Sequence, residues 1–194
     1  MAIGLNYADH AAESNQPVPR NPVLFLKAPT SLIGHGESII LTDHTSRIDH
    51  EAELAVIIKD RIKDVSPEET VNHVLGYTCA NDVSHRPFQY SDGQWCRAKS
   101  FDTFCPLGPY IVTDIDPSDL KIECRVNGDV RQSSRTSELV FDVPYLVSFL
   151  SRGITLLPGD VILTGTPSGV GPLKAGDTVE VSIEQVVTLR NPVL

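Results

Sequence analysis

Short, β-branched apolar runs alternate along the chain with loops rich in proline, glycine and asparagine. Residues 51–58, 110–113, 121–126, 160–164 and 178–183 are each strand-sized and bounded by Gly, Pro, Asn or Asp, which predicts strands. Residues 75–78 are a further candidate strand. Asn127-Gly128, between 121–126 and 130–132, is the sequence of a two-residue hairpin turn. Helical signals are fewer. Residues 7–14 predict a short helix. Ser66-Pro67-Glu68-Glu69 supplies an N-cap, a first-position proline and first-turn acids for a second helix reaching residue 74. A third spans 142–151, with Gly153 as its stop. No shift in composition marks a boundary. The expected architecture is one mostly β (α+β) domain over residues 1–194, with a few short helices and long loops.

Composition narrows the class. The 194 residues are 41% apolar and 21% charged, without low-complexity tracts or a repeat period. No apolar run approaches the roughly 20 residues of a membrane-spanning helix. The opening Met1-Ala2-Ile3-Gly4 carries neither a basic segment nor an apolar signal core, so secretion is not indicated. Cys79, Cys96, Cys105 and Cys124 form no C-x-x-C pair, which points to reduced thiols and a cytoplasmic protein. A net charge of −9 argues against a nucleic-acid partner. It leaves room for a small anionic substrate, because local cations can reverse the field inside one cleft.

Three groups of residues carry candidate chemistry. Glu51 and Glu53 are two apart in a strand-like run, so their side chains leave one face while Ala52 and Leu54 point to the other. Adjacent carboxylates on one face repel unless a cation sits between them. Asp82, just after the candidate strand at 75–78, offers a third oxygen ligand of the kind a hard divalent ion prefers. His10 and Glu13, three apart on a predicted helix, can meet, and a carboxylate on an imidazole raises its basicity. Lys99 lies in a mixed apolar and polar loop. Taken singly, each has a plainer reading, as a solvated strand face, an exposed His beside an acid, or a surface lysine.

In order and spacing, however, these segments resemble the catalytic domain of the fumarylacetoacetate hydrolase family over nearly the whole chain. The resemblance is carried by Gly4-Leu-Asn-Tyr-Ala-Asp-His-Ala-Ala-Glu13, Asn21-Pro-Val-Leu-Phe-Leu-Lys27, His50-Glu-Ala-Glu-Leu54, Asn81-Asp-Val-Ser84, Gly93-Gln-Trp95, the stretch from Ala98 to Pro109, and Gly159 to Gly171. It implies a mixed β-sandwich roll, usually assembled as a homodimer. It implies that Glu51, Glu53 and Asp82 hold Mg²⁺ (or Mn²⁺), that His10 and Glu13 are a dyad on a lid segment covering about residues 7–22, and that Lys99 is an active-site lysine. Arg86, Gln89, Lys27 and Thr166 fall where the family lines its substrate pocket.

The activity so implied is cleavage of a C–C bond in a small 2-oxo acid through a metal-bound enolate, by acylpyruvate hydrolysis or oxaloacetate-type decarboxylation. A 2-hydroxyhepta-2,4-diene-1,7-dioate isomerase or a related decarboxylase of aromatic catabolism is the alternative. It would need cations for a second carboxylate, for which Arg86, Arg97 and Lys27 are candidates. A non-catalytic metal or 2-oxo-acid binding protein is the alternative of another class. The chain departs from the family's Asp-Val-Ser-Ala-Arg-Asp in reading Asp82-Val-Ser-His85-Arg86-Pro87, which places substrate contacts there in question. Few residues precede the lid motif, so the strand supporting it is expected to be short.

Overall fold

The computed structural model describes residues 1–43 and 45–194. Its centre is β5 (Ala52–Ile58), a run of seven residues that are all buried. Alternation explains how one strand is covered on both faces. Leu54, Val56 and Ile58 join the main core, whereas Ala55 belongs to a second cluster with Ala2, Phe25, Ala80 and Leu163. Glu53 shares the parity of Ala55, so the acidic row rises from that second face.

β5 is flanked by β6 (Val74–Asn81) and β11 (Val161–Leu163), both antiparallel to it. The seven-stranded sheet is completed by β1 (Ala2–Gly4), β2 (Val23–Phe25), β8 (Cys105–Val112) and β3 (Leu32–Ile33), in the order β2-β1-β11-β5-β6-β8-β3. β1, which leads toward the expected lid segment, is three residues long. A four-stranded antiparallel sheet contains β10 (Asp129–Arg135), β9 (Lys121–Val126), β13 (Thr178–Ile183) and β14 (Thr188–Pro192) in that order. Its inward residues Ile122, Cys124, Val126, Val179, Val181 and Ile183 pack in the main core with Leu54 and Val56. A small sheet of β12 (Gly171–Pro172), β4 (Ile48–His50) and β7 (Ser84–His85) closes one end, beside the acids. The chain is therefore mostly strand, two facing sheets around one core, as expected.

Local signals acted largely as read. Asn127 and Gly128 take φ of 54° and 85°, the left-handed pair that a two-residue hairpin demands. Asp142 caps α3 (Val143–Gly153) by accepting from Tyr145 N at 2.9 Å. That helix runs two residues past its expected end, because Ile154 N still bonds Leu150 O at 2.9 Å and Gly153 becomes its last member. Pro67–His73 is a 3-10 helix rather than an α-helix, with the capping box of Ser66 and Glu69 in place. The strand expected at 110–113 begins earlier, at Cys105, despite Pro106 and Pro109. Pro106 stands opposite Ile33 of the two-residue β3, and Pro109 falls where the register between β8 and β6 shifts, an irregularity at which a proline is tolerated. No helix among the described residues is long and apolar enough to cross a membrane.

Candidate active site

β5 and β6 end side by side and deliver the three acids. Asp82 N donates to Glu51 O at 2.8 Å, and Glu51 N donates to Asn81 Oδ1 at 2.9 Å, so the ends of the two strands are pinned together. One carboxylate oxygen from each of Glu51, Glu53 and Asp82 lies within 4.8 Å of the others, and all three residues are buried. The carboxylates expected as ligands are brought to one point.

Their counter-charges are unequal. Lys99 Nζ donates to Glu51 Oε2 at 2.6 Å and to Asp82 Oδ2 at 2.8 Å. Lys27 Nζ donates to Asp82 Oδ1 at 2.5 Å and also to the Lys99 carbonyl. Arg86 sets an Nη on Glu51 Oε1 at 2.8 Å. Glu53 has no cationic partner among the described residues; its Oε2 accepts only Gly165 N–H, at 2.6 Å. The titration behaviour follows. Burial, reinforced by Asp82 and Glu51, raises the Glu53 carboxyl well above its usual range. Burial also pushes Glu51 upward, but Lys99 and Arg86 outweigh it and hold Glu51 below the carboxylate range. Burial disfavours the Lys99 ammonium, yet Asp82 and Glu51 more than restore it, so its value is raised. A buried carboxylate without a cation beside two others is what a divalent ion would complete, so the donor set fits Mg²⁺ or Mn²⁺.

A cavity of about 460 Å³ opens above the acids. Nine of the ten site residues expected from sequence line it; Lys27 does not. The Lys27 ammonium is instead a buried counter-charge on Asp82. Arg97, a candidate for a second carboxylate, is engaged elsewhere, with Nε and one Nη on Asp92 at 2.6 Å and its guanidinium 3.8 Å over the Phe88 ring.

The dyad stands on α1 (Ala8–Glu13), whose residues His10 and Ala11 are buried. His10 Nδ1 lies 3.3 Å from Glu13 Oε2. Glu13 in turn accepts Gly169 N–H at 3.0 and 3.2 Å, and Asp9 accepts the Ser168 hydroxyl at 2.7 Å. The helix of the expected lid is thus fastened to the 165–171 loop, and residues 14–18 beyond it are exposed. Thr166 reaches the cavity with its hydroxyl bound by Gln132 Nε2 at 2.7 Å. Pro87 occupies the start of α2 (Arg86–Ser91), where a backbone N–H has no partner within the helix, and His85 Nδ1 caps that helix by accepting Phe88 N at 3.4 Å. The departure at 85–87 is therefore accommodated without disturbing Asp82.

Asp49 and Gln132, which support the site, were not anticipated. Asp49, fully buried, accepts Arg86 Nε at 2.7 Å and Arg47 Nε at 2.9 and 3.1 Å. It shares the parity of Glu51 and Glu53, which is the signal that was available. Gln132 Oε1 accepts Ala52 N at 3.0 Å and lies 3.0 Å from His50 Nδ1, tying β10 to the acidic row. Its sequence position gives no hint of this.

Comparison with known proteins agrees with the geometry. The family model for the fumarylacetoacetate (FAA) hydrolase C-terminal domain matches residues 1–194. A mitochondrial oxaloacetate tautomerase of Xenopus laevis is 45% identical, over 100% of this chain and 65% of its own length. A 2-hydroxyhepta-2,4-diene-1,7-dioate isomerase from Mycobacterium marinum superposes with a TM-score of 0.92 at 49% identity, over 100% of this chain and 73% of that one. A fumarylacetoacetate hydrolase from Exiguobacterium antarcticum gives 0.91 at 44% identity, over 99% and 73%.

Proposed function

The chain belongs to the fumarylacetoacetate hydrolase family, and from that premise we propose that it is a Mg²⁺- or Mn²⁺-dependent enzyme that cleaves a C–C bond of a small 2-oxo acid. The observation that carries this reading is Glu53, a buried carboxylate without a cation, facing Glu51 and Asp82 across less than 4.8 Å. Glu51, Glu53 and Asp82 would hold the ion, which when bound supplies Lewis-acid polarisation of the 2-oxo carbonyl.

The chain's own residues account for the rest. Lys99 brings a buried positive charge to the oxygen on which negative charge grows as the bond to C3 breaks. Arg86 is held rigid by Asp49, Glu51 and Gln89, so the cation flanking the substrate head is pre-positioned. Glu13 engages His10 Nδ1, leaving Nε2 as the nitrogen that takes a proton from water attacking the distal carbonyl of an acylpyruvate. For an oxaloacetate-type substrate CO₂ departs and no attacking water is needed.

A second reading is favoured by the 45% identity to an oxaloacetate tautomerase. There His10 would take a proton from C3 and return it elsewhere, with no bond between carbons broken. The deciding assay is pyruvate release from acetylpyruvate and from oxaloacetate, with Mg²⁺ and with excess chelator. Chelator-sensitive release supports cleavage. Accelerated keto–enol exchange of oxaloacetate without pyruvate supports the tautomerase. Inertness toward both acids would sink the cleavage reading. We further propose a homodimer, for which the elution volume of the native protein against its 21.2 kDa chain mass is the check.

A further inference from the structure

Resting on the 2-oxo acid reading above, we propose that Arg47 anchors a second carboxylate, so that the substrate is a 2-oxo diacid with its distal charge at the cavity rim. Residues 47, 49, 51 and 53 alternate along one stretch of chain, and all four line the cavity. Glu53 and Glu51 belong to the acidic floor, and the half-exposed Arg47 marks the outer end of the same row. A substrate whose 2-oxo head sits over the acids extends along this row.

A second negative charge entering a protein of net charge −9 needs a cation of its own. The other basic groups are spent. Lys27 sits on Asp82 outside the cavity, and Arg97 is clamped by Asp92. Lys99 is held by Glu51 and Asp82, while all three guanidinium nitrogens of Arg86 meet Asp49, Gln89 or Glu51. Arg47 differs. Its side chain is 55% exposed, and only Nε is engaged, by the Asp49 carboxylate. Neither Nη has a partner among the described residues. The free edge of a guanidinium is a fork of parallel N–H donors, the geometry that takes a carboxylate bidentately. Asp49, itself buried and fixed by Arg86, holds the base of that fork in place, which lowers the ordering cost of binding. Tyr90, 79% exposed, lines the same cavity and offers a phenol beside the fork.

The test pairs acids that differ only at the distal end. Binding of 2-oxoglutarate and 2-oxopentanoate to the Mg²⁺-supplemented protein is measured by calorimetry, and kcat/KM is measured for oxaloacetate and acetylpyruvate. In the wild type the diacid should bind more tightly. Arg47→Gln should erase that preference, lowering the diacid-to-monoacid ratio on the order of ten- to a hundredfold, chiefly through Kd and KM. Arg47→Lys should restore part of it. If Arg47 merely positioned Asp49, both acids would suffer alike and the ratio would stay put, which overturns the proposal. A wild type with no preference between the two acids overturns it equally. A protein that binds the pair selectively but turns over neither oxaloacetate nor acetylpyruvate would refute the cleavage reading and leave Arg47 supported.

Discussion

Lys99 Nζ stands 2.6 Å from Glu51 Oε2, with both side chains almost wholly buried. Without a divalent ion this ammonium is the largest counter-charge on the acidic floor, since it also meets Asp82. Removing one partner of a buried pair strands the other, at a cost of about 3–5 kcal/mol. Lys99→Ala should therefore lower the melting temperature of the chelator-treated protein by roughly 6–20 °C, at about 2–4 °C per kcal/mol for a chain of this size. Mg²⁺ should recover part of that loss, because it neutralises the same carboxylates. Turnover should stay depressed on the order of a hundredfold or more, since the charge beside the developing oxyanion is gone. Differential scanning calorimetry with and without Mg²⁺ is the check. An unchanged melting temperature in chelator would show that Lys99 is not the counter-charge.

Glu53→Gln separates the proposed metal site from the fold. The glutamine oxygen can still accept Gly165 N–H, and the unpaired buried carboxyl is removed. Stability in chelator should hold or rise, whereas the gain from Mg²⁺, about 2.7 kcal/mol at a concentration a hundred times Kd, should vanish. The pH dependence has a definite sign. Because the folded-state value of Glu53 is raised above 4.5, the metal-free fold keeps a proton that the unfolded chain has lost at any pH between the two values. Its contribution to stability therefore declines as pH rises above 4.5, and metal binding must expel that proton. Mg²⁺ affinity should tighten with pH, and calorimetry in buffers of different ionisation enthalpy should detect proton release that Glu53→Gln abolishes.

How much of this was legible depended on whether the determinant was local. Glu51 and Glu53 betray themselves by two-residue alternation, and Asn127-Gly128 and the caps at Ser66 and Asp142 act within four residues of where they are written. Asp49 had the same parity as the two glutamates but stood outside the apolar run taken as the strand. Lys27 was placed near the substrate by the family resemblance and Arg97 by its charge. Their partners Asp82 and Asp92 are fixed by folding, and pairing removed both from the cavity. Gln132 and Gly165 lie 80 and 112 residues from the strand residues they bond, Ala52 and Glu53, and no spacing rule reaches that far.

His50 makes the fold sensitive to acid. Burial holds its imidazole below the usual 6.5 despite the opposing Gln132 contact and nearby acids. The unfolded chain takes up the proton first, so stability is lost as pH falls below 6.5, at no more than about 1.4 kcal/mol per pH unit for one group. Urea midpoints at pH 7 and pH 5 should differ more in the wild type than in His50→Gln, whose amide does not titrate. Equal pH dependence in the two proteins would assign the acid sensitivity to other groups.

Gly169 joins α1 to the body, and its replacement should reveal what that joint does. It adopts φ +95°, a conformation costly for any residue with a Cβ, and a Cβ there would collide with the Arg131 carbonyl. Its N–H also donates to both oxygens of Glu13, which orients His10. Gly169→Ala must shift this loop, at a cost of about 1–3 kcal/mol in stability, and the shift withdraws the donor from Glu13. The proposed metal ligands lie on other elements, and the Gly165 N–H that serves Glu53 is four residues away. Mg²⁺ binding should therefore persist. Any reaction that needs His10 as a base should fall roughly ten- to a hundredfold, in the same direction as His10→Ala. Decarboxylation, which needs no attacking water, should fall less than hydrolysis. An equal loss of both activities, with Mg²⁺ affinity intact, would mean that the loop serves substrate closure in general and that the dyad is not specific to the hydrolytic step.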